Sequence, residues 1–401
     1  MREKYSFPKN ARLAAESGVD VKTKMASLAD GGTAMKLQTE SLAVGYSRRV
    51  IVDDISFSVL RGEILVLIGP NGAGKSTILK TITGQLTSLR GTIYLDGSPM
   101  GTMKEAQIAR RMAILMTQRP RAELMTVEDM VSTGRYPYTG RLGILTDKDK
   151  RIVDQAMEMV GLASERDRFF EEISDGQKQR ALLARAIAQE PEVLILDEPT
   201  SYLDMHHKLE LLSILKKLVQ NKQIAVIMSL HELDLAQKCA DHLLCISEGR
   251  VDRYGSPEEI FAIGSDYVQH LYHMDKGAFL PEYGSLELEA VGGEPEVFVI
   301  GGGGSGIPIY RQLQRQGIPF AAGVLQENDL EYPVAKALAM EVITEKAFEA
   351  VSDISVARAA EVMEKCKRVI VAVSYFGSMN AGNQKLVEKA ASAGKIYILP
   401  K

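Results

Sequence analysis

The run Gly69-Pro70-Asn71-Gly72-Ala73-Gly74-Lys75-Ser76-Thr77 has the residue types and spacing to hold a chain of phosphates. It follows the apolar stretch Ile64–Ile68, a buried-strand pattern, so the glycine loop joins a strand to a helix, the context that a loop of the form GxxxxGKS/T requires. Gly69 and Gly74 let the backbone wrap an anion, the amides of residues 72–76 point inward, and the helix adds its positive end. Lys75 would reach the β and γ phosphates, and Ser76 would place its hydroxyl on Mg2+. A second apolar run, Val193–Leu196, ends in Asp197-Glu198-Pro199-Thr200. Two adjacent acids at the end of a strand are costly to keep without a cation. Asp197 would hold Mg2+, while Glu198 is placed to polarise an attacking water as general base. A chance glycine loop and a solvated strand end are the plain alternatives. Each loses force because the other motif lies in the same series of elements.

Those elements are strand-like apolar runs alternating with helix-like segments from residue 35 to about 262, the pattern of an α/β domain with parallel strands. The chain has 401 residues, enough for roughly two to three domains. Lys and Arg number 48 against 52 Asp and Glu, a net charge of −4, which argues against nucleic-acid binding through bulk positive charge. The three cysteines include no CxxC pair, so a disulfide framework or a cysteine-built metal site is not expected, and a reducing cytoplasm fits. No apolar stretch approaches the ~18 residues of a membrane span. Residues 1–34 are expected as a disordered extension, residues 263–292 as a connector with a small folded annex, and residues 293–401 as a second α/β series.

With these motifs in place, residues 37 to about 262 resemble the ATPase subunit of an ABC transporter. Tyr46 matches the family's adenine-stacking aromatic, with a core tyrosine as the alternative. Gln118 matches the glutamine that joins Mg2+ to the transporter-facing subdomain. Ile173-Ser174-Asp175-Gly176-Gln177 matches the signature that reads LSGGQ in the family, Ser201-Tyr202-Leu203-Asp204 the loop crossing the dimer interface, and His231 the switch histidine on the γ phosphate. The resemblance implies a P-loop NTPase fold with a helical subdomain, ATP and Mg2+ as cofactors, and a homodimer. In that homodimer, Ser174, Gly176 and Gln177 of one subunit complete the phosphate loop of the other. Lys75, Gln118, Glu198 and His231 would be catalytic, with Ser76, Gln118 and Asp197 on the metal. Asp175 replaces the signature's first glycine, and its side chain is expected to turn away from phosphate and cap the helix.

The stretch between Gln118 and Ser174 includes Gly134-Arg135-Tyr136-Pro137-Tyr138-Thr139-Gly140. That run, with residues 229–236, resembles the ATPases of iron-chelate, haem and cobalamin importers. The implied partners are integral-membrane permeases and a substrate-binding protein, with the chain held peripherally on the cytoplasmic side of the membrane. The rival class is a soluble ABC ATPase of DNA repair, translation or iron–sulfur assembly, whose coiled-coil insertions or tandem ATPase domains are not found here. His206 and His207 point about 100° apart on a helix and are expected on a solvated face. Beyond the resemblance, Gly301, Gly303 and Gly306 satisfy GxGxxG between the strand Val297–Ile300 and a helix, ahead of the Rossmann-like series, with Glu327 and Asp329 downstream. Either a small anionic or nucleotide regulator sits on that loop, or the glycines only pack helix against strand.

Overall fold

The computed structural model describes residues 35–116, 122, 124–140, 143–201, 203–262 and 265–397. The extension 1–34, Gln118 and Tyr202 lie outside the described residues. The chain divides into two compact units, Met1–Ile263 and Gly264–Lys401.

The first unit is built on a ten-stranded sheet. Its strands are β1 (Met35–Tyr46), β2 (Arg49–Leu60), β3 (Ile64–Ile68), β4 (Arg90–Leu95), β5 (Ser98–Pro99), β6 (Met112–Leu115), β7 (Val193–Leu196), β8 (Ala225–Ser229), β9 (His242–Ser247) and β10 (Arg250–Gly255). They lie in the order β5-β4-β1-β2-β10-β9-β3-β8-β7-β6. The stretch from β9 to β6 is parallel, and every residue of β3, β7 and β8 is buried, as continuous apolar runs covered on both faces should be. Register then does the positioning. Leu67 stands opposite Ser229, and Leu196 opposite Met228, so the loop after β3, the acids after β7 and the segment after β8 all emerge at one carboxyl edge.

Beside this sheet, the helices Val127–Ser132, Asp147–Met159 and Asp175–Ala188 pack on one another as a helical subdomain. Each begins with a reciprocal capping box, Thr126 with Asp129, Thr146 with Asp149 and Ser174 with Gln177. Arg135, inside the run 134–140, is almost fully buried. It donates to Asp149 Oδ1 at 2.9 Å and the Ala188 carbonyl at 2.7 Å, and lies over the Tyr138 ring at 4.1 Å. A buried guanidinium with its donors spent in this way ties the subdomain's helices together, and removing one partner would leave a charge stranded.

The second unit begins earlier than the boundary at 293. Its hairpin, β11 (Ala278–Leu280) and β12 (Ser285–Glu287), places Leu280 in the same core as Val297, Phe320 and Leu338. Its main sheet comprises β13 (Val297–Ile300), β14 (Phe320–Gln326), β15 (Glu341–Glu345) and β16 (Arg368–Val371), all parallel, in the order β15-β14-β13-β16. The two-residue period of β13 sorts the helices. Val297 and Val299 face Tyr310, Leu313 and Val334 of the helices Ile307–Arg315 and Tyr332–Leu338. Phe298 and Ile300 face Met363 and Leu386 of the helices Asp353–Lys365 and Ala381–Ser392. Ile396 makes a parallel bridge to Val369 beyond β16.

Candidate active site

Glycine is required at both ends of the phosphate loop. Gly69 has φ 146°, and a Cβ there would lie 2.1 Å from the Ile246 carbonyl oxygen. Gly74 has φ 103°, and a Cβ would lie 2.4 Å from Val52 Cγ2. The helix Lys75–Ile82 starts immediately after, so Lys75, Ser76 and Thr77 occupy its first turn. Lys75 Nζ donates to the carbonyls of Gly69 at 2.7 Å and Pro70 at 3.0 Å. Burial lowers the Lys75 pKa, while Glu198 and Asp197 act in the opposite sense. Asn71 and Gly72 form the exposed crest of the loop, with Ala73 donating back to the Pro70 carbonyl at 3.2 Å.

The acids after β7 belong to one hydrogen-bonded chain. Asp197 Oδ1 accepts from Ser76 Oγ at 3.0 Å and from Ser229 Oγ at 2.8 Å. Ser229 Oγ in turn accepts from the Glu198 amide at 2.9 Å. Glu198 has φ 50°, a left-handed conformation that costs a non-glycine residue roughly 1–2 kcal/mol and needs support from its surroundings. That support continues through its side chain: Oε1 lies 2.7 Å from His231 Nε2, and Oε2 accepts from Ser201 Oγ at 3.2 Å. Hydroxyl and carboxylate oxygens are the donor set Mg2+ prefers, so Ser76 and Asp197, already 3.0 Å apart, fit that ion.

The structure therefore joins Lys75, Ser76, Asp197, Glu198 and His231 at one edge. Ser229, fully buried at the centre of the chain, was not among the expected residues. Its signal in the sequence is slight, a small polar residue closing an apolar strand two positions before His231. Tyr46 pairs with Arg49 across the β1/β2 hairpin and is 47% exposed, which rules out the core-tyrosine reading. Ile51 and Val52, just after that hairpin turn, press on Gly74, so Tyr46 stands at the phosphate-loop end of the strands.

Among the described residues, no hydrogen bond runs from Ser174, Gly176 or Gln177 to the phosphate loop. They form the start of the helix Asp175–Ala188, where Ser174 is the cap: its Oγ accepts from the Gln177 amide at 3.3 Å, and Gln177 Oε1 accepts from the Ser174 amide at 2.9 Å. This corrects the expectation for Asp175, which occupies the first helical position rather than the cap, because the Ser-x-x-Gln box already holds that place. Gln179 Nε2, further along the helix, donates to the Pro199 carbonyl at 3.1 Å and links the signature to the acidic strand end.

In the second unit, residues 301–306 lie between β13 and the helix Ile307–Arg315 as expected, but the chain's own carboxylates take the loop's amides. The Gly303 amide donates to Asp329 Oδ2 at 2.8 Å, and the Gly306 amide to Glu331 Oε2 at 2.5 Å. Glu331 is fully buried, and its Oε1 accepts from Tyr310 Oη at 2.9 Å. Burial raises the Glu331 pKa against these hydrogen bonds. A Cβ at Gly301 would lie 1.9 Å from Glu331 Oε1, so the glycine makes room for the carboxylate. Asp329 is one of the two acids singled out in the sequence; Glu327 instead bonds through its amide to the Glu345 carbonyl at 3.0 Å.

Residues 52–201 match the family described as ABC transporter, and residues 320–401 match the MJ0874 family. An uncharacterized ABC transporter ATP-binding protein of Methanocaldococcus jannaschii, MJ0873, is 41% identical over 293 residues, covering 72% of this chain and 99% of that one. The iron(3+)-hydroxamate import ATP-binding protein FhuC of Bacillus subtilis is 40% identical over 60% of this chain and 88% of its own. The cobalamin import ATP-binding protein BtuD of Halobacterium salinarum is 33% identical over 75% of this chain and 77% of its own. Among solved structures, an ATP-binding subunit of an ABC transporter superposes with a TM-score of 0.51 at 28% identity, over 56% of this chain and 92% of that one.

Proposed function

The chain belongs to the ATP-binding proteins of ABC transporters, and from that premise we propose that it energises uptake of an iron chelate, haem or cobalamin through membrane permeases. The observation that carries the reading is the unbroken chain from Ser76 through Asp197, Ser229 and Glu198 to His231, at the mouth of the phosphate loop.

Lys75 would exchange the loop carbonyls for the β and γ phosphate oxygens, while the amides of residues 72–76 bind the rest of the chain. Ser76 and Asp197 would hold Mg2+, with Gln118 the third ligand that the family resemblance assigns. When bound, that ion supplies positive charge to the phosphate oxygens. Glu198 accepts the proton of the attacking water, and its carboxylate is aimed by Ser201 and His231. Ser174, Gly176 and Gln177, at the start of their own helix and unattached to the phosphate loop of their own chain, would meet the γ phosphate held by a second copy.

A groove of about 630 Å3 supports a permease partner. It runs between Thr83 and Gly84, the helix Glu105–Arg111, and Tyr136 and Arg185 of the helical subdomain. A groove bounded by both the nucleotide helix and that subdomain would feel any movement between them. Among the described residues no helix is long and apolar enough to cross a membrane. The second unit, whose strand order is that of the first four strands of a dinucleotide-binding sheet, is an accessory regulatory domain in this reading. With its loop amides occupied by Asp329 and Glu331, a phosphate-bearing regulator has the least support.

The test is reconstitution of the chain with its permeases in vesicles and assay of labelled ferric chelates, haem and cobalamin. Glu198→Gln should keep ATP binding and cut turnover and uptake by about two orders of magnitude or more. Recovery of the chain only with ribosomes or DNA, or import of sugars and amino acids alone, would sink the reading.

A further inference from the structure

We propose that His207 is a positioning residue that ties the loop ending at Asp204 to the signature glycine Gly176, so that both present themselves to the second subunit's nucleotide as one body. This rests on the dimeric reading above. Asp204 caps the helix Met205–Lys222, and its Oδ1 receives two hydrogen bonds from the same residue: the His207 amide at 2.9 Å and the His207 ring Nδ1 at 2.7 Å. These bonds hold the Asp204 carboxyl below its ordinary range. An ionised carboxylate at 2.7 Å requires the proton to sit on Nδ1, which fixes the ring as a donor on that side.

The far edge of the ring lies on the signature. A Cβ at Gly176 would stand 2.8 Å from His207 Cδ2 and 3.0 Å from Cγ and Nε2. A side chain at this position would displace the His207 ring, which rests against the backbone between Ser174 and Gln177, the two partners of the capping box. The neighbouring His206 takes no part: it is largely exposed, its ring meets His207 edge-on at 5.4 Å, and its Nε2 is 3.6 Å from Glu210. The solvated face expected for the pair therefore describes His206 only. Lys208 is engaged with Glu232 at 2.6 Å, so His207 is the side chain of this turn that spans from Asp204 to Gly176.

The experiment uses the full chain carrying Glu198→Gln and measures ATP-driven dimerisation by light scattering. Adding His207→Ala should raise the ATP concentration for half-maximal dimerisation by about tenfold, on the scale of one hydrogen bond to a charged group. His207→Asn keeps a donor near Asp204, and His207→Phe keeps a ring against Gly176, so each should recover part of the loss. His206→Ala should leave the curve in place, and ATP binding to the monomer, read by nucleotide fluorescence, should be the same in all. Equal dimerisation with and without His207, or an equal defect from His206→Ala, overturns the proposal. If Glu198→Gln alone fails to dimerise, the dimeric reading is what fails. Amide exchange at residues 174–178 then still decides the contact: it should quicken in His207→Ala, and unchanged exchange overturns it.

Discussion

Removing one hydroxyl, at Ser229, should separate nucleotide binding from hydrolysis. Its Oγ donates to Asp197 at 2.8 Å and accepts from the Glu198 amide at 2.9 Å, in a fully buried position. Alanine there strands the Glu198 amide, at roughly 1–3 kcal/mol for an unsatisfied buried donor, and removes a bond to a carboxylate worth roughly 1.5–3 kcal/mol. Asp197 keeps Ser76, so the total lies near the lower end of that sum, about 2.5–4 kcal/mol. The loss falls on the residue least able to absorb it, because Glu198 is held at φ 50° and, in its proposed role, must aim its carboxylate at a water. We expect Ser229→Ala to lower kcat about tenfold to hundredfold, the range of partial loss of a positioned base. KM for ATP should stay within about threefold, since Lys75 and the loop amides are untouched. Steady-state ATPase kinetics, with a thermal melt to show the protein folded, make the measurement. An unchanged kcat in folded protein would show that the chain through Ser229 does not position Glu198. A rise in KM that accounts for the whole effect would place Ser229 in ground-state binding instead.

Lys75→Ala should instead weaken nucleotide binding itself, seen by equilibrium titration with ATP; retained affinity would overturn the phosphate-loop assignment. Lys36 gives a pH signature: it is fully buried, and burial, with Arg111 and Arg61 adding to it, pulls its pKa down to about 8 despite ion pairs with Glu192 and Asp96. Because the unfolded chain holds that proton up to about 10.4 while the folded one loses it near 8, raising the pH between those values favours folding. Urea melts at about pH 7.5 and about pH 9.5 should show this gain in the natural chain and lose it in Lys36→Met; parallel changes in the two would refute it. Truncation separates the units: ending the chain at residue 262 should leave a cooperatively folding ATPase unit, whereas ending it at 292 leaves Leu280 without its core of Val297, Phe320 and Leu338. Proteolysis should trim the longer product back toward 263, and resistance of residues 264–292 would show that they fold without the second sheet.

What was legible in the sequence is what local chemistry specifies. The glycine loop, the paired acids and His231 each follow an apolar strand within a few residues, so strand and candidate site are written side by side. Ser229 was hidden because its role arises only from register: it meets Asp197 and Glu198 because β3, β8 and β7 lie parallel, with Leu67 opposite Ser229 and Leu196 opposite Met228. His207 was hidden in the same way. Adjacent histidines on a helix point apart, and nothing local says that one of them meets a glycine 31 positions earlier, across two helices.

The glycines of residues 301–306 mark the boundary between these cases most sharply. A GxGxxG run after a strand specifies a backbone shape, amides turned toward a common point at the start of a helix, and that shape is present. It does not specify the anion. Here Asp329 and Glu331 arrive from the loop after β14, and Glu331 enters so deeply that Gly301 must lack a side chain to admit it. A phosphate placed on these amides would have to displace two carboxylates, one of them fully buried and hydrogen-bonded to Tyr310, and would meet their charge if they stayed. In the proposed function the loop at residues 69–77, whose carbonyls hold a lysine, takes the phosphate, whereas the differently spaced glycines of residues 301–306 have amides satisfied internally. Of the two glycine loops, the one whose immediate neighbour is a cation suits an external anion better than the one whose amides meet carboxylates of their own chain, and that asymmetry favours the first unit as the place of the proposed nucleotide.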